Sequence, residues 1–302
     1  MRRAAVLLAL LLAAAPVWGN RKGRTPKPKP RRTQIAREVP EMTWDGFPNI
    51  QSQSALIVDL DDGSELYAKN PEQVRAIASV GKLFLALVLM DRHIDLDATT
   101  KVTEEDALLS AGGARSRLQV GKSFTNHDLL RAMLISSDNR ACPALGRAVG
   151  LSAANLVEAM NAKARSLGLK RTRFVDTTGL KANVSTTREV LTALMAAIAV
   201  PTLAEIMTTT QATVSSTDGR VTVDYFSTDV ALRSGRYSVL GGKTGYTDEA
   251  KYCLAIAAKL AGRRVGMAFL GADGKLTRFG DFNRGVAWML AAKNENPSVI
   301  AK

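Results

Sequence analysis

Ser79 and Lys82 stand three positions apart in the segment Ser79-Val80-Gly81-Lys82. This spacing places the hydroxyl and the amine on one face of a helix, within reach of each other. A serine becomes a nucleophile when a base removes its proton, and a neutral lysine amine can be that base. The pKa of Lys82 must then lie far below the ordinary lysine value of about 10.4, which requires burial or a neighbouring cation. The pair alone is equally compatible with a helix start that carries a solvated lysine.

A second candidate is the tripeptide Ser137-Asp138-Asn139, which follows the apolar run Leu129–Ile135. It precedes a predicted helix that accommodates Pro143 in its first turn. In a loop between two helices, Ser137 could relay a proton and Asn139 could bind a substrate carbonyl. An ordinary helix N-cap is the alternative, and for the tripeptide alone it is the favoured one.

The third candidate is Lys243-Thr244-Gly245, inside residues 241–247. On a strand, Lys243 and Gly245 point to the same side, with Thr244 between them. The missing side chain at Gly245 allows another backbone to approach closely, as when a peptide adds beside a strand edge. Lys243 would also provide a positive field that lowers the pKa of Lys82. The glycine spacing does not match a phosphate-binding loop, and a tight turn remains the alternative.

The elements that must position these motifs include strands from both ends of the chain. Strand-like runs occur at 55–59, 65–69, 239–246, 251–260 and 265–270. The first two surround the turn Asp61-Asp62-Gly63, and the last two are joined as a hairpin through 261–263. Strands from both ends around a helical middle predict an α/β (α+β) fold with a mainly antiparallel sheet flanked by helices.

The middle of the chain carries the helical patterns. Helices are predicted at 79–90, over most of 99–201 and at 278–292. Two helix starts have capping-box spacing: Thr125 with Asp128, and Thr186 with Glu189. The long helical stretch is therefore expected to be an insert in the sheet.

The net charge of +13 is concentrated at the N-terminus. Ten of the 41 basic residues, and no acidic residue, precede Glu38, which leaves 31 basic against 28 acidic residues in the remainder, a balance of +3. A nearly neutral body argues against a nucleic-acid-binding domain. An apolar content of 46% argues against both wholesale disorder and a polytopic membrane protein.

The first 43 residues predict export followed by a linker. Arg2 and Arg3 precede an apolar run at 4–15, and small residues follow, a pattern typical of a signal peptide. It is assigned to residues 1–19, with cleavage after Gly19 or, as the alternative, after Ala15. The junction contains no cysteine, so a lipid anchor is not indicated. No transmembrane anchor is expected after cleavage. Residues 20–43 are interpreted as a basic, proline-rich linker. The basic part, Arg21–Arg37, is either a solvated tether or an electrostatic attachment to an anionic envelope surface.

The cysteines and histidines exclude several other chemistries. Cys142 and Cys253 lie among apolar neighbours, and we expect two buried free thiols rather than a disulfide. His93 and His127 have no companions at metal-ligand spacing, so neither a metal site nor a Ser-His-Asp triad is indicated. No cofactor is expected.

The three motifs, in this order, resemble those of the serine D-Ala-D-Ala peptidases, the low-molecular-mass penicillin-binding proteins. The resemblance runs from about residue 54 to residue 290. Beyond the motifs, it rests on the segments Ser54–Asn70, 160–164, 174–180 and Lys243–Ala250. It implies a β-lactamase/transpeptidase-like fold in a catalytic domain over residues 44–302, located in the periplasm or elsewhere in the extracytoplasmic envelope.

The resemblance also implies a role for each motif residue. Peptidoglycan stem peptides would be the substrates, and β-lactams would be covalent inhibitors. The implied roles are Ser79 as the acylated nucleophile, Lys82 as the base, Ser137 and Asn139 in proton transfer and substrate positioning, Lys243, Thr244 and Gly245 in substrate binding, and the backbone N–H groups of Ser79 and Tyr246 as the oxyanion hole.

Two residues depart from the family pattern. Gly81 stands where a hydroxyl residue usually precedes the motif lysine, and a mid-helix glycine costs about 1 kcal/mol against alanine. Lys251 replaces a small residue that is common after the third motif. Neither departure removes a catalytic group, but both argue against full peptidase activity.

The branch of the family is predicted from the segments 136–141 and 274–277 and from the short stretch after the last predicted helix. These features are most similar to the DD-endopeptidases of the penicillin-binding protein 7 type, with a DD-carboxypeptidase as the alternative. A class A β-lactamase would need an activating glutamate, and Glu158 with Asn161 lies on a predicted helix instead. A non-catalytic wall-binding protein is the remaining alternative.

Overall fold

The computed structural model describes residues 39–295, apart from the side chains of residues 292–295. The predicted signal peptide, 1–19, and the predicted linker as far as residue 38 lie outside the described residues. The described chain begins with a turn in which the Thr43 amide donates to the Phe47 carbonyl at 2.8 Å.

The fold contains strands and helices with the following bounds. The strands are β1 (Ser54–Asp59), β2 (Glu65–Lys69), β3 (Arg75–Ala76), β4 (Thr99–Lys101), β5 (Ser123–Thr125), β6 (Val184–Ser185), β7 (Gln211–Ser215), β8 (Thr222–Phe226), β9 (Ser238–Thr247), β10 (Lys251–Leu260) and β11 (Arg263–Ala272). The helices are α1 (Lys82–Asp91), α2 (Glu104–Leu109), α3 (Asn126–Ile135), α4 (Ala141–Ala148), α5 (Ala153–Ser166), α6 (Thr187–Ile198), α7 (Pro201–Met207), α8 (Val230–Arg233) and α9 (Thr277–Glu295).

The central sheet joins both ends of the described chain. Its strand order is β2-β1-β11-β10-β9, and every neighbouring pair is antiparallel. The predicted strands agree with this sheet, and the predicted helical insert lies between β2 and β9. The third motif lies on β9, at one edge of the sheet, where it is open to the side away from β10.

Alternate residues of the sheet strands enter two separate cores. Ile57 and Ile256 pack with Phe282 of α9 on one face. Leu56 belongs to the larger core on the other face, which the helical insert covers. β1 is thus buried on both faces, and its successive side chains enter the two cores in turn.

Helix α1 runs through the larger core. Its residues Leu83–Leu89 are all buried, as expected of a helix that is apolar on every side. A 3₁₀ turn, Ala78–Gly81, precedes it, so the predicted helix at 79–90 is a 3₁₀ turn followed by an α-helix. This arrangement places Ser79 and Lys82 at the sheet end of a fully enclosed helix.

The helix caps differ partly from those expected. Thr125 and Thr186 accept hydrogen bonds from the amides three residues ahead. The Glu189 carboxylate, however, accepts from Thr172, and the Asp128 carboxylate pairs with Arg131. A reciprocal capping box is formed at Thr103 and Asp106, which start α2.

The two cysteines, Cys142 and Cys253, are both buried free thiols, as predicted.

The helices were also assessed as possible membrane spans. Within residues 39–295, no single helix is long and apolar enough to cross a bilayer. The pair α6 and α7 meets the criterion only when the two helices are counted together across a 110° bend.

Candidate active site

The turn that carries Ser79 is held between two glycine backbones. Ala78, just before it, has a positive φ of 47°. A Cβ on Gly179 would lie 2.3 Å from the Ala78 carbonyl oxygen, and one on Gly245 would lie 2.8 Å from the Ile77 carbonyl oxygen. The close approach predicted at Gly245 is therefore made by the chain's own backbone on this side.

Lys82 is the centre of the polar network. Its side chain is 1% exposed, and its Nζ atom lies 2.7 Å from Ser79 Oγ, 2.7 Å from Asn139 Oδ1 and 2.8 Å from the Thr178 carbonyl oxygen. A neutral amine has two N–H donors and one lone pair. If Asn139 and Thr178 take the two donors, the lone pair is left to face the Ser79 hydroxyl.

Burial lowers the pKa of Lys82 from its usual value, while the neighbouring Cys142, Asp138 and Asp176 oppose this shift. Cys142 itself is a thiol over the working pH range, because burial raises its pKa to about 11. Burial is the cause that lowers the pKa of Lys82, and the positive field of Lys243, which the sequence suggested, is not among the causes. A lowered pKa is the condition for Lys82 to act as a base.

Ser137 lies in the loop between α3 and α4. Its φ is 63°, which is an uncommon conformation for a non-glycine residue. Its Oγ accepts a hydrogen bond from Lys243 Nζ at 2.9 Å and lies 3.4 Å from Lys82 Nζ, which can donate to it once the Lys82 amine is protonated. The Ser137 hydroxyl therefore connects the amines of the first and third motifs.

Asp138 points away from the cleft and anchors this loop. Its carboxylate accepts hydrogen bonds from Ser116 Oγ, the Arg117 amide and the Tyr225 hydroxyl at 2.6, 3.0 and 2.8 Å. The N-cap of α4 is Arg140 rather than a residue of the tripeptide. The N-cap alternative for this motif is thus wrong.

Thr244 and Gly245 of the third motif line the cleft from β9, whereas Lys243 is buried beside it. Lys243 is 1% exposed, and burial together with the charge of Lys82 holds its pKa well below the usual value. Thr244 Oγ1 lies 2.6 Å from Thr228 Oγ1. Tyr246, which is 47% exposed, stacks on Tyr252 with ring centroids 4.2 Å apart.

An open cleft of about 870 Å³ brings Ser79, Ser137, Asn139 and Thr244 together. Arg278 also lines this cleft, although it is only 5% exposed. Its guanidinium lies over the Tyr252 ring at 5.0 Å, and its Nε and Nη1 atoms have no hydrogen-bond partner within the described part of the chain. Arg278 can therefore receive a carboxylate, since an unpartnered buried cation is costly.

The structure explains Gly81, whereas Lys251 has a backbone conformation that is unfavourable for lysine. Gly81 ends the 3₁₀ turn and is the N-cap of α1, so the expected cost of a mid-helix glycine does not apply. A Cβ there would lie 3.1 Å from Cε1 of Phe174, whose ring fills the adjacent space. Lys251 follows the tight turn after β9 with a φ of 56°. This is the left-handed region, which suits glycine better.

Comparison with known proteins shows which family the chain belongs to. The family model described as D-alanyl-D-alanine carboxypeptidase, Peptidase_S11, matches residues 41–274. The chain belongs to this family. It is a serine-type DD-peptidase, and the predicted resemblance and fold class are confirmed.

Two relatives and two solved structures show how far this likeness extends. A D-alanyl-D-alanine endopeptidase of Escherichia coli is 32% identical over 87% of this chain and 85% of its own length. One from Pseudomonas aeruginosa is 35% identical over 80% and 77%. The Streptomyces K15 DD-transpeptidase superposes with a TM-score of 0.75 at 26% identity, covering 81% of this DD-peptidase and 99% of that chain. A D-alanyl-D-alanine carboxypeptidase of Mycobacterium tuberculosis gives 0.74 at 29%, covering 85% and 95%.

Glu158 takes no part in the cleft of this DD-peptidase. It lies on α5 and pairs with Arg165 on the surface at 2.8 Å. The Asn161 side chain bonds to the Phe174 backbone instead. Neither residue is placed to activate a water molecule beside Ser79, which disfavours the β-lactamase alternative.

Sequence reasoning missed three contributors to the site: the Thr178 carbonyl, Thr228 and Arg278. A backbone carbonyl leaves no residue-type signal. The family resemblance of the segment 174–180 is the indication of Thr178 that the sequence contains. Arg278 is remote from every motif in the sequence and is brought to the cleft by the start of α9.

Proposed function

We propose that this DD-peptidase is a peptidoglycan endopeptidase, which hydrolyses D-alanyl cross-links between wall peptides through an acyl-enzyme on Ser79. The observation that carries the proposal is the 2.7 Å contact between Lys82 Nζ and Ser79 Oγ. Lys82 is buried there, and burial lowers its pKa. Nucleophile and base are within hydrogen-bond reach, which is the first requirement of nucleophilic catalysis.

Acylation begins when Ser79 Oγ attacks the carbonyl carbon of the D-alanyl residue. Its proton passes to the neutral amine of Lys82, and the carbonyl oxygen becomes an oxyanion. The backbone N–H groups of Ser79 and Tyr246 are proposed to stabilise that charge. The closeness of Gly245 to Ser79 supports this pairing, because a Cβ on Gly245 would lie only 3.1 Å from the Ser79 nitrogen.

Collapse of the intermediate requires a proton on the leaving amine. Ser137 is proposed to deliver it: the Ser137 proton passes to the leaving amine, and the proton that Lys82 took from Ser79 replaces it, since Lys82 Nζ and Lys243 Nζ both lie within reach of Ser137 Oγ. Lys243 supports this transfer from the side opposite Lys82. Water then attacks the ester carbonyl and gives a proton to the neutral amine of Lys82, which returns it to Ser79 Oγ as the C–O bond of the ester breaks and the D-alanyl carboxyl product leaves.

The substrate peptide is proposed to lie along the free edge of β9. Thr244 and Gly245 offer backbone groups there, and peptide addition to a strand edge is a recurrent mode of recognition. The amide nitrogen of Asn139 would bind a substrate carbonyl, because its oxygen already accepts from Lys82. Arg278, with its two unpartnered nitrogens, would bind the carboxylate beside the scissile bond.

The choice of cross-links over terminal D-alanine rests on the relatives. Two relatives that match 87% and 80% of this chain are named D-alanyl-D-alanine endopeptidases, at 32% and 35% identity. A DD-carboxypeptidase is the second candidate, since the family description and relatives such as the 29% identical Bacillus subtilis carboxypeptidase DacF favour it. The same acyl-enzyme serves both reactions.

The proposal also places the enzyme outside the cytoplasm, where peptidoglycan is found. It divides the chain into a signal peptide (1–19), a basic linker (20–43) and a catalytic domain (44–302), and the family match from residue 41 supports the last boundary. Arg21–Arg37 is then a tether that can make weak electrostatic contact with the envelope. Stem peptides are the substrates, and β-lactams are covalent inhibitors.

The test is to incubate the protein and its Ser79→Ala variant with a fluorescent penicillin. A stable adduct that depends on Ser79 is expected; rapid turnover of the penicillin would indicate a β-lactamase instead. No labelling would contradict both enzymes and favour a wall-binding protein. Chromatography of digested, cross-linked wall fragments then separates the two peptidases, because an endopeptidase converts dimers to monomers whereas a carboxypeptidase only shortens pentapeptides.

A further inference from the structure

Asp176 organises the loop that contacts the amine of Lys82. Its Oδ2 atom accepts from the Thr178 amide at 2.9 Å, the Gly179 amide at 3.1 Å and the Leu180 amide at 3.3 Å, and also from the Thr178 hydroxyl. Its Oδ1 atom accepts only from the Gly179 amide at 3.3 Å and the Lys181 amide at 3.4 Å. One carboxylate thus holds the backbone of four successive residues in a single tight turn.

The turn is fixed to the nucleophile on two sides. The Asn183 side chain accepts from the Asp176 amide at 3.1 Å and donates to the Asp176 carbonyl at 3.0 Å, while its own carbonyl accepts from the Ile77 amide at 3.1 Å. Gly179 packs against the Ala78–Ser79 peptide without room for a side chain. The position of the Thr178 carbonyl relative to Ser79 is therefore determined by this loop.

The Thr178 carbonyl affects the orientation of the Lys82 amine, because the neutral amine has only two N–H donors. Asn139 and Thr178 take the two N–H groups of the neutral amine, and their directions decide where the lone pair points. If the Thr178 carbonyl moved away, the amine could rotate, and its lone pair would no longer be directed at Ser79. Proton abstraction depends on this alignment.

The charged and titratable groups that act on Lys82 come from several elements. They are Asp176 on the turn, Asp138 on the α3–α4 loop, Cys142 on α4 and Lys243 on β9. Asp176 and Asp138 favour the protonated amine and so oppose the effect of burial on the pKa of Lys82.

We propose that Asp176 is a positioning residue for the base: its carboxylate fixes the carbonyl that orients the Lys82 amine, and it presents a negative charge to that amine. The inference rests on the proposed role of Lys82 as the base for Ser79. It assigns a function to a residue that does not touch the substrate.

Two substitutions separate these two effects. In Asp176→Asn the amide oxygen can take the Oδ2 position and keep its four bonds, while the NH₂ group takes the Oδ1 position, where only two long bonds are lost. The turn is kept and the charge is removed. Asp176→Ala removes both. Glu158→Gln is the matched control, because it removes one negative charge from an exposed position on α5.

The measurement is the pH profile of the rate of Ser79 acylation by fluorescent penicillin, with kcat and KM on cross-linked fragments. In Asp176→Asn the acid limb should move to lower pH with the plateau nearly unchanged, because loss of the carboxylate lowers the pKa of Lys82. In Asp176→Ala, kcat should fall tenfold or more, on the order expected for a misaligned base, with little change in KM. The Glu158→Gln profile should match that of the wild type.

Each result has a definite meaning. An Asp176→Asn profile that superimposes on the wild type would overturn the electrostatic part, and a folded Asp176→Ala protein with wild-type kcat would overturn the positioning part. If Asp176→Ala does not fold, Asp176→Asn still tests the charge, and Thr178→Pro, which displaces the same turn, tests the carbonyl through kcat. Failure of the wild type to label would instead contradict the proposed function itself.

Discussion

The Tyr225 hydroxyl donates a 2.8 Å hydrogen bond to the Asp138 carboxylate, and so links the β7–β8 hairpin to the loop that carries Ser137. Tyr225 is fully buried, and the Arg117 guanidinium lies 4.3 Å above its ring. The pKa of Tyr225 is raised by burial and by the Asp138 charge, so the hydroxyl remains a donor throughout the working pH range.

Tyr225→Phe removes this bond and keeps the ring. Asp138 retains its bonds from Ser116 and Arg117, so we expect the free energy of unfolding to fall by about 1–2 kcal/mol. The acylation rate of the folded protein should also fall, because this anchor holds Ser137 in its strained conformation. Loss of folded protein alone would not account for that decrease. Urea denaturation and penicillin labelling check the two effects. Labelling at the wild-type rate would contradict the link to Ser137.

Gly179→Ala should abolish penicillin labelling, because its Cβ would lie 2.3 Å from the Ala78 carbonyl oxygen and displace the Ser79 turn. The control is Gly121→Ala. Gly121 has nearly the same φ, 85° against 86°, but no atom within 4 Å of its Cβ. That control should lose only the backbone cost of about 1 kcal/mol and label normally. Equal labelling of the two variants would show that the contact does not position Ser79.

Lys251→Gly should stabilise the protein by about 0.5–1 kcal/mol, because glycine adopts a positive φ without the steric penalty that lysine incurs. Lys259→Gly is the opposite control. Lys259 is also exposed, but it lies in the regular part of β10, where glycine destabilises by about the same amount. Thermal unfolding of both variants checks the signs. A loss of stability in Lys251→Gly would contradict the strain assigned to this turn.

Lys82 should also make stability depend on pH. Its pKa is lowered in the folded state, so between that pKa and the usual value of 10.5 the unfolded chain binds more protons. Stability from this group therefore rises with pH through that window, falls as pH decreases through it, and is constant below the folded-state pKa, where both states are protonated. Lys82→Met should reduce the slope of unfolding free energy against pH, by at most about 1.4 kcal/mol per pH unit. Parallel slopes for wild type and variant would contradict a lowered pKa.

The sequence predicted most of the catalytic side chains because their types and spacing are informative. The three-residue spacing of Ser79 and Lys82 predicted a contact, and it is made, although through a 3₁₀ turn rather than a regular helix. The alternation on β9 correctly placed Lys243 and Gly245 on one side. The order of the three motifs then indicated the family.

Other parts could not be predicted for physical reasons. Thr178 contributes a carbonyl, which every residue has, and Arg278 reaches the cleft only through the packing of α9. The acidic partners of two predicted capping boxes are used elsewhere, since tertiary contacts such as Glu189 with Thr172 compete with local ones. The β7–β8 hairpin, which anchors Asp138 through Tyr225, was not predicted at all.

The two glycine backbones that hold the turn of Ser79, those of Gly179 and Gly245, determine when the enzyme becomes reactive. Gly245 lies on a strand more than 160 residues after the nucleophile. A nascent or partly folded chain has Ser79 without the backbone that shapes its turn. The nucleophile is thus assembled late, and covalent capture by a penicillin should report completed folding rather than mere synthesis of the chain.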